Sequence, residues 1–184
     1  KKVVVIGGGP SGLEAARVTA SRGHDVVLFE KDARLGGQVN IAAKAPRHDA
    51  LINVTQWLEL QARKLGVDIR LETEADEEMA LGENPDVVIV ATGGTPNDAR
   101  VKGAEHAVST WDVLTGAAEP GGSVLVYDDN GEHQAPMCAE FLAERGASVE
   151  FLTPDRAMGQ DIGLTEAALY RKALYKLGVV FTAD

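Results

Sequence analysis

Short apolar runs alternate with longer stretches of helix-forming residues, and this alternation occurs twice along the chain. Residues 3–6 and 26–29 are continuous apolar runs rich in valine, as expected of strands that are buried on both faces of a sheet. Between them, residues 12–22 are good helix formers and Gly23 follows directly, which predicts a helix ending there. Strands that alternate with helices predict a parallel sheet with right-handed crossovers.

The rest of the first half continues the pattern. A helix is predicted over residues 49–64 with one apolar stripe, and Trp57 is expected to be a core residue on it. Residues 67–71 and 87–91 predict two further strands, whereas the acidic stretch 72–84 is expected to be irregular. The predicted stripe consists of Leu51, Val54, Trp57, Leu58 and Leu65.

The second half repeats the plan of the first. Residues 123–154 again run from an apolar strand through a turn and a helix ending in Arg-Gly to a second strand. The sequence predicts an α/β fold with two Rossmann-like units, both incomplete, at residues 1–94 and 123–184. Residues 95–122 are interpreted as a linker that Trp111 anchors. The helix ends match too, since Lys176-Leu177-Gly178-Val179 nearly repeats Lys64-Leu65-Gly66-Val67.

Composition narrows the class of partner. The chain has 184 residues, 45% of them hydrophobic, and a net charge of −10, which argues against nucleic acid or an anionic membrane surface as a partner. No apolar run approaches the roughly 20 residues of a membrane span. Cys138 is the single cysteine, so no intrachain disulfide can form, and a cytoplasmic location is expected. The chain lacks an initiator methionine and is expected to be a segment of a longer protein.

The first turn has the pattern of a phosphate-binding site. Gly7, Gly9 and Gly12 form G-x-G-x-x-G after a predicted strand, and Glu30 follows the next strand. Gly7 permits the tight turn, Gly9 lets the backbone approach a pyrophosphate, and Gly12 lets the helix pack closely on the sheet. The pyrophosphate would meet the N-terminus of the helix, and Glu30 would accept hydrogen bonds from the adenosine ribose.

Several motifs together resemble a flavoprotein family. Gly-Gly-Gly-Pro-Ser-Gly, Phe-Glu-Lys, Leu-Gly-Gly-Gln-Val-Asn-Ile-Ala and Val-Ala-Thr-Gly-Gly are similar to the FAD/NAD(P)-binding half of the trimethylamine dehydrogenase and 2,4-dienoyl-CoA reductase group. The resemblance covers essentially the whole chain and implies FAD at the first site, with ADP as the alternative. It also implies FMN and an iron–sulfur cluster in an N-terminal barrel that precedes such a half. The implied cofactor-binding residues are Gly7, Gly9, Pro10, Ser11, Gly12, Glu30, Lys31, Gly36, Gly37, Gln38, Ala91, Thr92 and Gly93.

The corresponding turn of the second copy is acidic. Asp128, Asp129 and Glu132 lie where phosphates would bind, and the turn is two residues longer than the first. Like charges at this distance oppose phosphate binding. The next strand ends at Thr153 instead of an acid, and Arg156 alone does not restore the site. We therefore expect the NAD(P)H site of this copy to be lost.

A flavoprotein without that site must pass its electrons elsewhere. The second turn resembles the subgroup of N-methylproline demethylase-like chains, which implies an amine or N-methyl amino-acid demethylase that delivers electrons to an electron-transfer flavoprotein. A working NAD(P)H-dependent reductase and a non-catalytic ADP-binding module stay open as alternatives. The substrate and the oligomeric state are also open, a homo-oligomer included.

Two further residues invite a chemical role. Cys138 has no partner cysteine and is expected to be a buried small hydrophobe. His133 lies among the acids of the second turn without regular ligand spacing, so no metal site is predicted. No catalytic acid–base constellation is visible in this chain.

Overall fold

The computed structural model describes residues 1–97 and 101–183, which form two compact units. The first unit comprises residues 1–43 and 48–95. The second comprises residues 44–47 together with the chain from residue 96 onward, so the predicted linker belongs almost entirely to it. Both units contain parallel sheets flanked by helices, which confirms the predicted α/β class.

The first unit is a four-stranded parallel sheet of order β3-β2-β1-β4. A short 3₁₀ helix, Asp49–Leu51, leads into its longest helix. The elements are β1 (Lys2–Ile6), α1 (Pro10–Ser21), β2 (Asp25–Phe29), α2 (Val39–Ala42), α3 (Ile52–Lys64), β3 (Asp68–Arg70), α4 (Glu77–Gly82) and β4 (Val87–Val90).

Strand β1 is buried on both faces, as its continuous valine run predicts. Val3 and Val5 pack with Leu13 of α1 and Leu58 of α3 on one face of the sheet. Val4 packs on the other face in a cluster that includes Ala80 of α4. Because both faces are covered, the carboxyl ends of the central strands are fixed in place, and the turn that follows β1 starts from a rigid base.

Two predictions for the first unit are wrong in detail. Trp57 is 52% exposed, with the Arg17 guanidinium 5.6 Å from its ring centroid, because α3 buries a neighbouring stripe that contains Leu58 and Ala62. Small residues on that stripe let α3 pack against α1. The stretch expected to be irregular contains α4, whose N-cap Asp76 accepts a hydrogen bond from the Met79 amide at 2.8 Å.

The second unit has a three-stranded parallel sheet of order β5-β6-β7. Its first α-helix begins with a capping box between Ser109 and Asp112, and Trp111 on that helix is partly buried. A 3₁₀ helix, Ala104–His106, precedes it. The other elements are α5 (Thr110–Thr115), β5 (Ser123–Tyr127), α6 (Gln134–Glu144), β6 (Ser148–Thr153), α7 (Leu164–Lys176) and β7 (Val180–Ala183).

The second sheet is buried on the side that carries its helices. Val149 and Phe151 of β6 are buried, and α6 packs against α7. Leu125 and Val180 on the neighbouring strands pair with Glu150, so they lie on the opposite face of the sheet, where they are 57% and 59% exposed. Strand alternation therefore places one apolar face in the core and leaves the other face accessible.

Candidate functional site

The turn after β1 depends on glycine at two positions for reasons of packing. Gly7 has a φ of 105° and its amide donates to the Phe29 carbonyl at 2.8 Å. A Cβ on Gly7 would lie 2.7 Å from the Ala91 carbonyl carbon, and a Cβ on Gly12 would lie 3.0 Å from the Gly7 carbonyl carbon. Both side chains would collide with backbone, so these glycines hold β1, α1 and the end of β4 close together.

Gly9 differs from the other two glycines of the motif. A Cβ at this position would meet no atom of the described residues within 4 Å. Its φ of −70° is open to any residue, so neither packing nor backbone geometry requires glycine there. Gly9 caps the 12-residue helix α1, where the amides of the first turn are available to an anion. This is the property expected of a glycine that lets a pyrophosphate approach the backbone.

Glu30 organises the turn as well as facing it. It is only 6% exposed, and its Oε2 accepts a hydrogen bond from the Gly8 amide at 2.6 Å. Its Oε1 accepts from the Asp32 amide at 2.8 Å. A carboxylate offers about four acceptor positions, so two remain for ribose hydroxyls. The sequence predicted only that Glu30 accepts hydrogen bonds from the ribose, and not that it binds the amides of the turn. Lys31, which follows Glu30 in the chain, is exposed.

The loop from Leu35 to Gln38 folds over the same turn. The Gly36 amide donates to the Gly8 carbonyl at 2.9 Å, and a Cβ on Gly37 would lie 3.2 Å from the Gly9 Cα atom. The φ values of Gly36 and Gly37 are 117° and 50°, so both adopt the left-handed region that glycine favours. The predicted glycines of this loop therefore lie against the first turn.

Gln38 joins this loop to the third predicted segment. Its Nε2 donates to the Gly94 carbonyl at 2.9 Å, next to Gly93 with a φ of 75°. Ala91 is partly buried and its amide donates to the Ile6 carbonyl at 2.8 Å, whereas Thr92 is exposed. Three sequence segments that are far apart in the chain thus converge on one turn. Pro10 and Ser11 complete it as the first residues of α1.

The turn after β5 starts from the same geometry and then differs. The Asp128 amide donates to the Leu152 carbonyl at 2.8 Å, and in the first unit the Gly7 amide donates to the Phe29 carbonyl in the same way. The Asp128 Oδ1 atom accepts hydrogen bonds from the Gly131 amide at 3.0 Å and the Asn130 amide at 3.4 Å. The Asn130 Oδ1 atom accepts from the Glu132 amide at 3.1 Å. Side chains of the turn therefore occupy three of its own amides, those of Asn130, Gly131 and Glu132.

Carboxylates also surround this second turn. Asp128 is 1% exposed, and burial raises its pKa above the usual aspartate value, while the amides of Asn130 and Gly131 oppose that rise. A Cβ at Gly131 would lie 3.0 Å from the Asp155 Oδ2 atom and 3.2 Å from the Asp161 Oδ2 atom. An incoming phosphate would meet negative charge here. Across residues 1–97 and 101–183, no group of three acidic, histidine or cysteine residues is arranged to hold a metal ion.

Cys138 has the environment expected of a structural residue. It is buried in α6, and burial raises the pKa of its thiol to about 12. The thiolate that redox or nucleophilic chemistry requires is therefore strongly disfavoured.

A buried polar network in the second unit was not predicted. Arg47, with a φ of 65°, forms an ion pair with Glu140, whose side chain is 3% exposed. The Arg47 guanidinium lies 5.4 Å from the Tyr170 ring centroid, and the Tyr170 hydroxyl is 3.2 Å from His133 Nδ1. Burial raises the pKa of Tyr170 to about 12. Arg47 and Glu140 are 93 residues apart, and neither lies in a motif that points to the other.

Known proteins are similar to this chain in sequence and in fold. The chain is 46% identical over 183 residues to a probable N-methylproline demethylase from Rhizobium meliloti (strain 1021), covering 99% of this chain and 27% of the relative. It is 44% identical over 192 residues to the N,N-dimethylglycine/sarcosine dehydrogenase from Chromohalobacter salexigens, with coverage of 100% and 28%. The structure of 2-naphthoyl-CoA reductase in complex with 2-naphthoyl-CoA matches with a TM-score of 0.91 and 32% identity, over 100% of this chain and 28% of that one.

These matches place the chain in a larger context. The chain spans a little over a quarter of the length of those relatives. None of the described helices is long and apolar enough to cross a lipid bilayer. Residues 1–126 match the model of a family described as pyridine nucleotide-disulphide oxidoreductase, which confirms the predicted resemblance to an FAD/NAD(P)-binding half. The chain therefore belongs to the pyridine nucleotide-disulphide oxidoreductase family.

Proposed function

We propose that this chain is the FAD-binding module of a flavin-dependent oxidoreductase that demethylates or dehydrogenates an amine or an N-methyl amino acid. Two relatives with this kind of name, at 46% and 44% identity, support the class of reaction. The first turn supports the cofactor, because Gly9 and the N-terminus of α1 present open backbone at the place where a pyrophosphate would bind. ADP is the alternative ligand, since it would use the same adenosine contacts.

Each part of the first site would have its own role. Gly9, Ser11 and the first turn of α1 would bind the pyrophosphate, and Glu30 would accept hydrogen bonds from the ribose. The loop that contains Gly36 and Gly37 would cover the dinucleotide, and its contact with Gly9 keeps that loop close. FAD, when bound, supplies two-electron redox chemistry. Residues outside this chain would hold the implied iron–sulfur cluster, because such clusters need several cysteine ligands and Cys138 is the chain's single cysteine. The resemblance assigns the implied FMN to the N-terminal barrel as well.

The contrast between the two turns is the observation that carries the proposal. In the first unit, the turn after the strand offers amides to an anion. In the second unit, the side chains of Asp128 and Asn130 accept hydrogen bonds from amides of the corresponding turn. The second unit would therefore not accept NAD(P)H, and electrons would leave the protein through another acceptor. An electron-transfer flavoprotein suits that role, because the oxidation of an amine releases electrons instead of consuming them.

The experiment uses the purified full-length protein under anaerobic conditions. We expect the denatured protein to release FAD, which chromatography separates from ADP. We also expect NADPH and NADH to leave the flavin absorbance unchanged at sub-millimolar concentration. N-methylated amino acids or amines should bleach the flavin, and an electron-transfer flavoprotein should restore it.

Each arm can contradict its own part of the proposal. Release of ADP alone would overturn the assignment of FAD. Rapid bleaching by NADPH would restore the reductase alternative. Failure of every N-methylated amine and amino acid to bleach the flavin would reject the proposed substrate class.

A further inference from the structure

The second unit contains a cavity that is separate from its acidic turn. The cavity has a volume of about 730 Å³, within the range of sites that hold a small organic ligand. It lies beside α7, between that helix, the loop that follows β6 and the edge strand β7. Among its described lining residues there is none from residues 128–132. An occupant of this cavity would thus not need the amides that Asp128 has taken.

Four cations line the cavity: Arg156, Arg171, Lys172 and Lys176. Within residues 1–97 and 101–183, none of their side chains forms an ion pair or a hydrogen bond. The chain as a whole has 28 acidic residues against 18 basic ones. A group of four uncompensated cations is therefore a local reversal of the overall charge, and it favours an anion.

The rest of the lining is aliphatic and aromatic, apart from Thr153 and Thr182. Tyr175 is 81% exposed and Phe181 is 42% exposed, although both are large side chains that usually bury more of their surface. The Phe181 ring also lies against Phe151 of the core, with ring centroids 5.8 Å apart, so its position is supported from behind. Exposed rings beside cations bind planar apolar groups that carry a negative charge.

We propose that this cavity binds a small aromatic anion, with a phosphate monoester as the best-matched charged group. A phosphate monoester carries a charge of about −1.5 to −2 at neutral pH, so it can be shared by two or more of the four cations. Its planar body would lie against Tyr175 and Phe181. The proposal does not depend on the flavin assignment, because every residue in it belongs to the second unit.

The test is calorimetry on the flavin-loaded full-length protein, so that the first site is filled. The probe is 4-methylumbelliferyl phosphate, and its two parts are tested as 7-methoxy-4-methylcoumarin and inorganic phosphate. We expect saturable binding of the probe and binding at least about tenfold weaker for either part, because the site needs both charge and ring. Raising the salt concentration should weaken the probe's affinity.

The repeat supplies a matched control variant. Lys176 and Lys64 occupy equivalent positions in the two copies, at the end of α7 and of α3, but only Lys176 lines the cavity. Lys176→Gln and the double variant Arg171→Gln/Lys172→Gln should each weaken binding of the probe at least about fivefold. Lys64→Gln, which removes the same charge, should leave it unchanged.

Three outcomes would overturn the proposal. They are the absence of saturable probe binding in the parent protein, equal binding of the neutral coumarin, and equal losses in Lys176→Gln and Lys64→Gln. Because all variants retain the first site, an unchanged flavin content distinguishes these outcomes from a failure of the FAD assignment.

Discussion

Replacing Glu30 by alanine should damage the first turn even when no nucleotide is bound. The carboxylate is 6% exposed and accepts hydrogen bonds from two amides, those of Gly8 at 2.6 Å and Asp32 at 2.8 Å. A hydrogen bond to a charged group contributes about 1.5–3 kcal/mol, so the two together stabilise the turn by about 3–6 kcal/mol. Loss of that amount should lower the melting temperature of the nucleotide-free protein by about 10 °C or more.

Nucleotide affinity should fall in the same variant for a second reason. The acceptor positions of Glu30 that face the ribose disappear, which weakens binding of ADP by about 1.5–3 kcal/mol, or roughly 10- to 150-fold. Glu30→Gln should have a smaller effect on stability. Its side-chain oxygen can still accept from one amide, whereas its NH₂ group cannot accept from the other.

The assay is thermal melting followed by titration with ADP, on protein stripped of nucleotide. Glu74→Ala is the control, because Glu74 is an exposed acid of the same unit and its removal changes the net charge equally. A melting temperature for Glu30→Ala within about 2 °C of that control would refute the structural role. Equal ADP affinity in the two variants would refute the contact with the ribose.

Three further predictions concern single positions. Gly9→Glu should remove bound nucleotide from the full-length protein while the fold persists, because its side chain meets open space in the protein but would collide with a pyrophosphate; unchanged nucleotide content by absorbance after denaturation would contradict this. Asp128→Asn should raise the melting temperature at pH 7, because burial raises the pKa of Asp128 and its ionised form destabilises the fold. The stability that the protonated carboxyl contributes is present at low pH and is lost as pH rises, so the gain from the substitution should shrink towards pH 4. The exposed control Asp129→Asn should show no such trend in melting temperature. The Cys138 thiol should not react with a thiol reagent at pH 8 until the protein is denatured, because its pKa is about 12; fast reaction of the native protein would show that the thiol is accessible.

The sequence predicts the strands and the first turn because their signals are local. Three of the four predicted strands of the first unit are continuous apolar runs, and the fourth, residues 67–71, alternates apolar and charged residues. The motif at Gly7, Gly9 and Gly12 requires only a strand before it and a helix after it. The structure adds that Gly7 and Gly12 are fixed by the protein's own backbone, while Gly9 is not. Spacing alone cannot separate these two reasons for glycine.

The errors arise where several faces or distant segments compete. The sequence predicts one apolar stripe through Trp57, but α3 buries the neighbouring face with Leu58 and Ala62, because the small Ala62 permits close approach to α1. The hydrogen bonds that the Glu30 carboxylate accepts from two backbone amides depend on the exact path of the turn, which the residue pattern does not show. The pairing of Arg47 with Glu140 joins positions 93 residues apart, so no local window contains both.

That last pairing limits how the two copies could be recombined. Residues 44–47 belong to the second unit although the chain returns to the first unit at residue 48. A fragment that starts at residue 96 would carry Glu140 in a buried position without the cation that neutralises it, at a cost of about 3–5 kcal/mol. Exchange of a whole second copy between related proteins would therefore succeed only when the four-residue segment travels with it.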